Sequence, residues 1–354
     1  MMKLIHCADL HLDSPMESNL PAEKARERRS EILSTFAELV RHADENGADA
    51  ILIAGDLFDS KRTTRKTEQY VLELIKKHPT LSFFYLAGNH DSGSSLSTSA
   101  QLPDNLYTFG NEWTSYALGD VYITGSEQPD PSTLELPEDK INILLLHGQQ
   151  KETGTAGADI IPFRQYRNRH IDYMALGHLH AYREATLDDR GVACYSGCPE
   201  GRGFDECGQK GYVLLEIAHQ KVTHTFVPFA RRTLHEITCD LSGCETQLEI
   251  ENRLLAATEG IPSSDLIKII LIGSCSPQLL MDLPRLQQLL SERFYFVKPV
   301  NRTHLEIHPE DYAHDISLKG EFVRRVMASS FSQKQKEEII ACGFRALGGE
   351  ELDI

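Results

Sequence analysis

Five short polar motifs carry the residue types that can do chemistry. They are Asp9-Leu10-His11, Gly55-Asp56-Leu57-Phe58-Asp59, Gly88-Asn89-His90-Asp91, His147-Gly148 and Gly177-His178-Leu179-His180. Each follows at once on an apolar run. Imidazole and carboxylate suit manganese, iron and zinc, and an amide oxygen suits a harder ion. The set is too large for one ion and about right for two. Asp9, His11, Asp56 and His180 can hold the first. Asn89, His147 and His178 can hold the second, with Asp56 bridging through its two oxygens. Two ions about 3.5–4 Å apart are the usual device for in-line attack on a phosphate ester. The spacing within Asp9/His11 and within His178/His180 is expected to set both side chains on one side of an extended segment.

These motifs need strands that end together. Apolar runs predict strands at Lys3–Ala8, Ala50–Ala54, Phe83–Ala87, Asn105–Phe109, Val121–Thr124, Asn142–Leu146, Tyr173–Leu176, Ala193–Tyr195, Tyr212–Ile217 and Val222–Val227. Helical periodicity predicts Ala22–Glu45, with Ile32, Phe36, Leu39 and Val40 on one face. It also predicts Thr63–Lys77, with Tyr70, Val71, Leu74 and Ile75. A layered α/β domain holding two packed sheets follows, and in such folds the loops beyond the strand carboxyl ends form the ligand crevice. The pattern changes near residue 230. A smaller α/β unit is expected over 231–313, with helices Thr246–Thr258 and Leu279–Glu292 and strands Leu266–Ile272, Phe294–Val297 and Thr303–Ile307. A helical tail is expected over 314–354, its second helix opened by a Ser332/Gln335 capping box.

Composition bounds the class. The 354 residues, 41% hydrophobic and 25% charged, are those of a folded soluble protein of more than one domain. No run is long and apolar enough for a membrane span, and the N-terminal stretch turns polar too soon for a secretory signal, so a cytoplasmic protein is expected. The eight cysteines are then reduced thiols, including Cys194, Cys198 and Cys207, whose spacing is not a clean zinc pattern. Lys plus Arg is 36 against 52 for Asp plus Glu, a net charge of −16. That argues against unaided, non-specific binding of nucleic acid, though bound cations or a basic partner would change the local field.

The ordered set of motifs resembles the calcineurin-like metallophosphoesterases. Within them, Cys7-Ala8-Asp9-Leu10-His11-Leu12 and Gly55–Asp59 are similar to the SbcD-type DNA repair nucleases, above all the YhaO-like branch. The resemblance covers residues 7 to about 200 and extends to the cap that follows. It implies a layered α/β/β/α sandwich with a small α/β cap and a helical tail. It implies Asp9, His11, Asp56 and His180 as ligands of one metal, and Asp56, Asn89, His147 and His178 of the other, manganese first, with iron or zinc as alternatives. His90 would face the scissile phosphate, stabilising the transition state or protonating the leaving oxygen, and Asp91 would orient His90. A water activated by the ions would be the nucleophile. The implied activity is hydrolysis of DNA phosphodiesters, as exonuclease or endonuclease, beside an SbcC-type ATPase subunit. The helices Ala22–Glu45 and Thr63–Lys77 would form a homodimer seam. Some double-strand-break nucleases of this superfamily carry a histidine where Asp59 stands, so Asp59 is expected only to support the ligands from behind.

Other readings stay open. A small cyclic-nucleotide or other phosphoester hydrolase would use the same ligands, and a structural subunit could bind metal without turnover. Protein phosphatases of this group show Gly-Asp-x-Val-Asp-Arg-Gly and Gly-Asn-His-Glu, whereas this chain has Leu57-Phe58-Asp59-Ser60 and Asp91. Arg202, in the Gly-rich loop Ser196–Phe204, either contacts a substrate phosphate or is a solvated loop arginine. The tail from Lys319 to Arg345 carries six basic and three acidic residues. Its apolar stripe (Phe322, Val326, Met327, Ile340, Phe344, Leu347) either packs on the protein's own cap or forms a docking helix pair for a partner's coiled coil. The histidines outside the motifs, such as His6, His42, His78 and His224, are expected to be structural.

Overall fold

The apolar runs become strands because β-branched, leucine and aromatic side chains fit a pleated surface buried on both faces. The computed structural model describes residues 1–16, 20–59, 63–91, 96, 102–152, 159–276, 279, 281–306 and 309–347. Leu280, Ile307 and the tail beyond residue 347, which the expected elements include, lie outside the described residues. The first of two units is Met1–Leu234. Its elements are β1 (Met2–Cys7), α1 (Ala22–Glu45), β2 (Ala50–Ala54), α2 (Arg65–Lys77), β3 (Ser82–Leu86), β4 (Leu106–Thr108), β5 (Thr114–Leu118), β6 (Val121–Gly125), β7 (Ile141–His147), β8 (Gln149–Lys151), β9 (Ile160–Pro162), β10 (Tyr173–Gly177), β11 (Arg183–Thr186), β12 (Val192–Tyr195), β13 (Gly211–Ala218) and β14 (Lys221–Pro228).

Twelve of these strands make two six-stranded mixed sheets, ordered β14-β13-β1-β2-β3-β4 and β11-β12-β10-β7-β6-β5, while β8 and β9 pair by themselves. Neighbours from β1 to β4 run parallel, as do β6, β7, β10 and β12. Parallel pairing brings the carboxyl ends of β1, β2 and β3 to one edge of their sheet, and those of β7 and β10 to one edge of theirs. Alternation then sorts the side chains. Leu52, Ala54, Phe84 and Leu86 of the first sheet share a core with Ile143, Leu145, Tyr173 and Ala175 of the second. Leu144, Leu146, Met174 and Leu176 face the other way, and pack with Phe163 and Tyr166 from a 3-10 turn. Each such burial is worth roughly 1.5–3 kcal/mol. Helix α1 buries Ile32, Phe36, Leu39 and Val40, as its periodicity predicts. On α2, Val71 and Ile75 are buried but Tyr70 is exposed.

The second unit is His235–Ile354. β15 (Leu234–Asp240), which leads into it, pairs in a three-stranded sheet with β16 (Leu266–Ile272) and then β18 (Phe296–Asn301). Between and beyond these lie α3 (Gln247–Ala257), β17 (Ser274–Cys275), α4 (Leu283–Ser291) and β19 (His304–Leu305). Ile250, Leu254, Ile267, Ile269, Leu271, Leu286 and Leu290 form its core. The tail is a helix pair, α5 (Leu318–Met327) and α6 (Gln333–Leu347), joined by Val323, Val326, Ile340 and Phe344. Ser332 and Gln335 exchange the expected capping bonds. Much of the apolar stripe is therefore the pair's own core, while Ile316, Leu318, Phe331 and Leu347 remain exposed. No helix among the described residues is long and apolar enough to cross a membrane.

Candidate metal centre

Asp9, Asp56, Asn89 and His178 lie just beyond β1, β2, β3 and β10, and His147 is the last residue of β7. The chain does not run extended through them, as the spacing had suggested. Asp9, His11, Asp56 and His178 all have positive φ, at 54°, 45°, 52° and 105°. Such backbone costs roughly 1–3 kcal/mol per non-glycine residue and persists only where neighbours enforce it. The neighbours are visible. His11 donates its main-chain N–H to Asp56 O at 2.9 Å, and Asp9 donates its own to Gly55 O at 3.1 Å. His178 N donates to both oxygens of Asp9, at 2.9 and 3.1 Å. Gly55 and Gly88 are required by close approach: a side chain at Gly55 would strike the His147 ring, and one at Gly88 the Asp56 carboxylate.

The loops gather the ligand atoms into two groups that could each hold an ion. One is Asp9, His11 and His180; the other is Asp9, Asp56 and His147; within each, the atoms lie inside 4.8 Å of one another. Asp9 belongs to both. Asp56 spans them too, with Oδ2 3.6 Å from His11 Nε2 and 3.3 Å from His147 Nε2. Asn89 Oδ1 joins the second group, 3.0 Å from His147 Nε2. His178 stands edge-on to the His147 ring, with centroids 5.5 Å apart. A cavity of about 410 Å³ opens beside His178 and His180, with Arg183 and Lys210 in its wall.

The charges fit a cation. His147 donates Nδ1–H to Ala54 O at 2.9 Å, so its Nε2 is a bare lone pair unless the ring is protonated. That atom faces an amide oxygen and a carboxylate oxygen, and three converging acceptors need a positive centre. Burial would lower the pKa of His147, but the bond and charge of Asp56, with Asp9 adding to them, raise it to about 9. Burial would raise Asp56, yet His147 and His11 hold it at about 2. Asp9 is pushed up to about 6 by burial. Burial and the Arg202 charge lower His11 to about 2, and its Nδ1 is a buried atom without a hydrogen-bond partner among the described residues.

Two expectations need correction. Asp91 does not orient His90. Its carboxylate accepts the main-chain N–H groups of Leu57, Phe58 and Gly88 at 3.2, 2.8 and 2.9 Å, stapling the loop after β2 to the loop after β3. His90 faces Asp59 instead, Nδ1 to Oδ1 at 3.8 Å, and its ring is half-exposed beside that of His11. Arg202 is not a solvated loop arginine; its side chain is turned to Glu206. Its Nε and Nη2 donate to Glu206 Oε1 at 3.1 and 2.7 Å. Glu206, which no motif signalled, lies 2.7 Å from His180 Nδ1. Burial would raise its pKa, but His180 and Arg202 hold it well below the carboxylate range. It stands two residues beyond the Gly-rich loop Ser196–Phe204, and nothing in that loop's pattern marks it.

Four of the histidines outside the motifs have ordinary partners: His6 with Tyr173, His42 with Tyr212, His78 with Asp44 and His224 with Glu184. Cys194 and Cys198 are buried, and neither ligand group among the described residues includes a cysteine.

Residues 2–182 match the calcineurin-like phosphoesterase family. The metallophosphoesterase YhaO of Bacillus subtilis (strain 168) is 26% identical over 248 residues, 64% of this chain and 60% of that protein. The DNA double-strand break repair protein Mre11 of Sulfurisphaera tokodaii is 28% identical over 247 residues, 61% of this chain and 60% of that one. The SbcD component of the SbcCD nuclease of Staphylococcus saprophyticus is 26% identical over 273 residues, 64% of this chain and 69% of that protein. The match thus spans about three-fifths of the first two relatives. With over half its length matched and with its candidate ligand residues gathered at the strand ends, the chain is a member of the calcineurin-like phosphoesterase family.

Proposed function

We propose that the chain is a dinuclear, manganese-dependent phosphodiesterase that hydrolyses DNA, working as the nuclease subunit beside an SbcC-type ATPase. The observation that carries this reading is the pair of ligand groups sharing Asp9, with Asp56 between them. Asp9, His11, Asp56 and His180 would hold one ion, and Asp56, Asn89, His147 and His178 the other. When bound, the ions supply charge neutralisation at the phosphate and a water activated for attack. The protein supplies the rest. Ala54 O fixes the His147 ring, and the main chain of His90 donates to Asp56 Oδ1 at 2.9 Å. The half-exposed His90 ring, with Asp59 Oδ1 3.8 Å from its Nδ1, would stabilise the transition state or protonate the leaving oxygen.

DNA as substrate is supported by relatives named for double-strand break repair and for the SbcCD nuclease. The net charge of −16 favours a subunit whose partner provides much of the grip on DNA. The exposed Ile316, Leu318, Phe331 and Leu347 of the tail are the proposed docking residues for that partner. Helices α1 and α2, with Tyr70 exposed, are the proposed homodimer seam.

The test is cleavage of linear single- and double-stranded DNA with manganese, against cyclic nucleotides, for wild type, His90→Ala and Asp56→Ala. Metal-dependent DNA cleavage lost in both variants is expected. Turnover of cyclic nucleotides alone would move the substrate class. Two bound ions with no turnover of either would leave a structural subunit.

A further inference from the structure

The loop that follows β12 carries two carboxylates into the interior of the first unit, and neither belongs to the five motifs. Glu200 accepts from Arg28 Nη2 at 2.7 Å, from the Thr35 hydroxyl at 3.1 Å and from the main-chain N–H groups of Arg231 and Arg232. Arg28 is fully buried and also donates to Gly201 O at 2.8 Å. The start of the loop is therefore pinned to α1 without help from the metal centre.

Glu206 does something different. It is 5% exposed, and its Oε1 lies 2.7 Å from His180 Nδ1. Arg202 surrounds the same carboxylate, with N to Oε2 at 2.8 Å and with Nε and Nη2 to Oε1. Arg202 Nη2 also lies 3.0 Å from His180 Nδ1. One ring nitrogen cannot donate to Glu206 and accept from Arg202 together. The shorter, charge-assisted contact decides it: Nδ1–H donates to Glu206, and the guanidinium serves the carboxylate. A proton on Nδ1 leaves Nε2 as the bare lone pair. Nε2 is the atom that faces His11 Nε2 at 3.3 Å, inside the Asp9, His11 and His180 group.

We infer that Glu206 is the positioning residue of that group, fixing the tautomer and the direction of His180, and that Arg202 positions Glu206 instead of binding a phosphate. The inference rests on reading the two groups as metal sites. It is also selective. His147, in the other group, has its Nδ1–H fixed by Ala54 O and owes nothing to Glu206. Removing Glu206 should therefore weaken one ion and spare the other. Outer partners of ligand histidines are typically worth about 10- to 100-fold in metal affinity.

The experiment is calorimetric titration of manganese into the metal-free full chain, for wild type, Glu206→Ala and Arg202→Lys. Two ions are expected in the wild type. In Glu206→Ala one ion should bind as in the wild type and the other about 10- to 100-fold more weakly. Arg202→Lys, which cannot form the fork, should weaken the same ion to a smaller degree. Unchanged binding of both ions in Glu206→Ala, or equal weakening of both, would overturn the inference while leaving the metal centre standing. No binding by the wild type would remove both. A second measurement is independent of how the variants fold: the imidazole nitrogen spectrum of the metal-free wild type, followed across pH until the His180 ring is neutral. His180 should carry its proton on Nδ1. A proton on Nε2 would overturn the inference.

Discussion

His90 Nδ1 lies 3.8 Å from Asp59 Oδ1, while Asp91, next to His90 in the chain, turns its carboxylate to the main chain. Two acidic residues from different loops therefore divide two tasks, Asp59 beside the His90 imidazole and Asp91 in the loop that presents it. If His90 acts in the proposed hydrolysis, Asp59→Asn should lower DNA cleavage by roughly 10-fold or more and leave bound metal unchanged, since Asp59 faces His90 and is in neither ligand group. Asp91→Ala should instead destabilise the protein by about 1–3 kcal/mol, because three main-chain N–H groups lose their acceptor. Turnover and metal content read the first, and denaturant unfolding reads the second.

The Arg28–Glu200 pair is fully enclosed, with both side chains 1% exposed. Breaking a buried pair from one side leaves a charge without compensation. Arg28→Met should cost about 3–5 kcal/mol, and Arg28→Met with Glu200→Gln should recover part of that loss. Urea unfolding of the two single variants and the double variant measures the coupling. Strict additivity would mean that the two charges do not depend on each other.

Acidity should act on the metal-free protein through His147. Its folded pKa of about 9 stands above the ordinary 6.5, because the bond and charge of Asp56 outweigh the lowering by burial. A raised histidine stabilises fully below its unfolded pKa and loses that contribution as pH rises through the folded one. The thermal midpoint of the metal-free chain should therefore fall between about pH 6.5 and 9, and His147→Asn should flatten that slope. Manganese binding should strengthen across the same window, since the ion displaces the proton.

The site was legible where chemistry and strand pattern coincide. Asp9, Asp56, Asn89, His147 and His178 each sit at the end of an apolar run, and the strands that end there run parallel. Backbone shape was not legible. An Asp-x-His spacing reads the same in an extended segment as at φ of 54° and 45°, and main-chain bonds to the Gly55 and Asp56 carbonyls help enforce the latter. Glu206 gave no signal because its partner His180 is 26 residues away and nothing in the spacing links them. The edge strands β5 and β11 escaped because half-exposed edges lack a continuous apolar run. The turn of Asp91 to the main chain escaped for the same reason as Glu206: a carboxylate's choice of partner is made in three dimensions.

The most direct measurement is anomalous diffraction at the manganese edge from crystals of the full chain grown with the ion. Two peaks about 3.5–4 Å apart are expected, one among Asp9, His11 and His180 and one beside Asp56, Asn89 and His147. A single peak, or manganese bound away from these residues, would contradict the account.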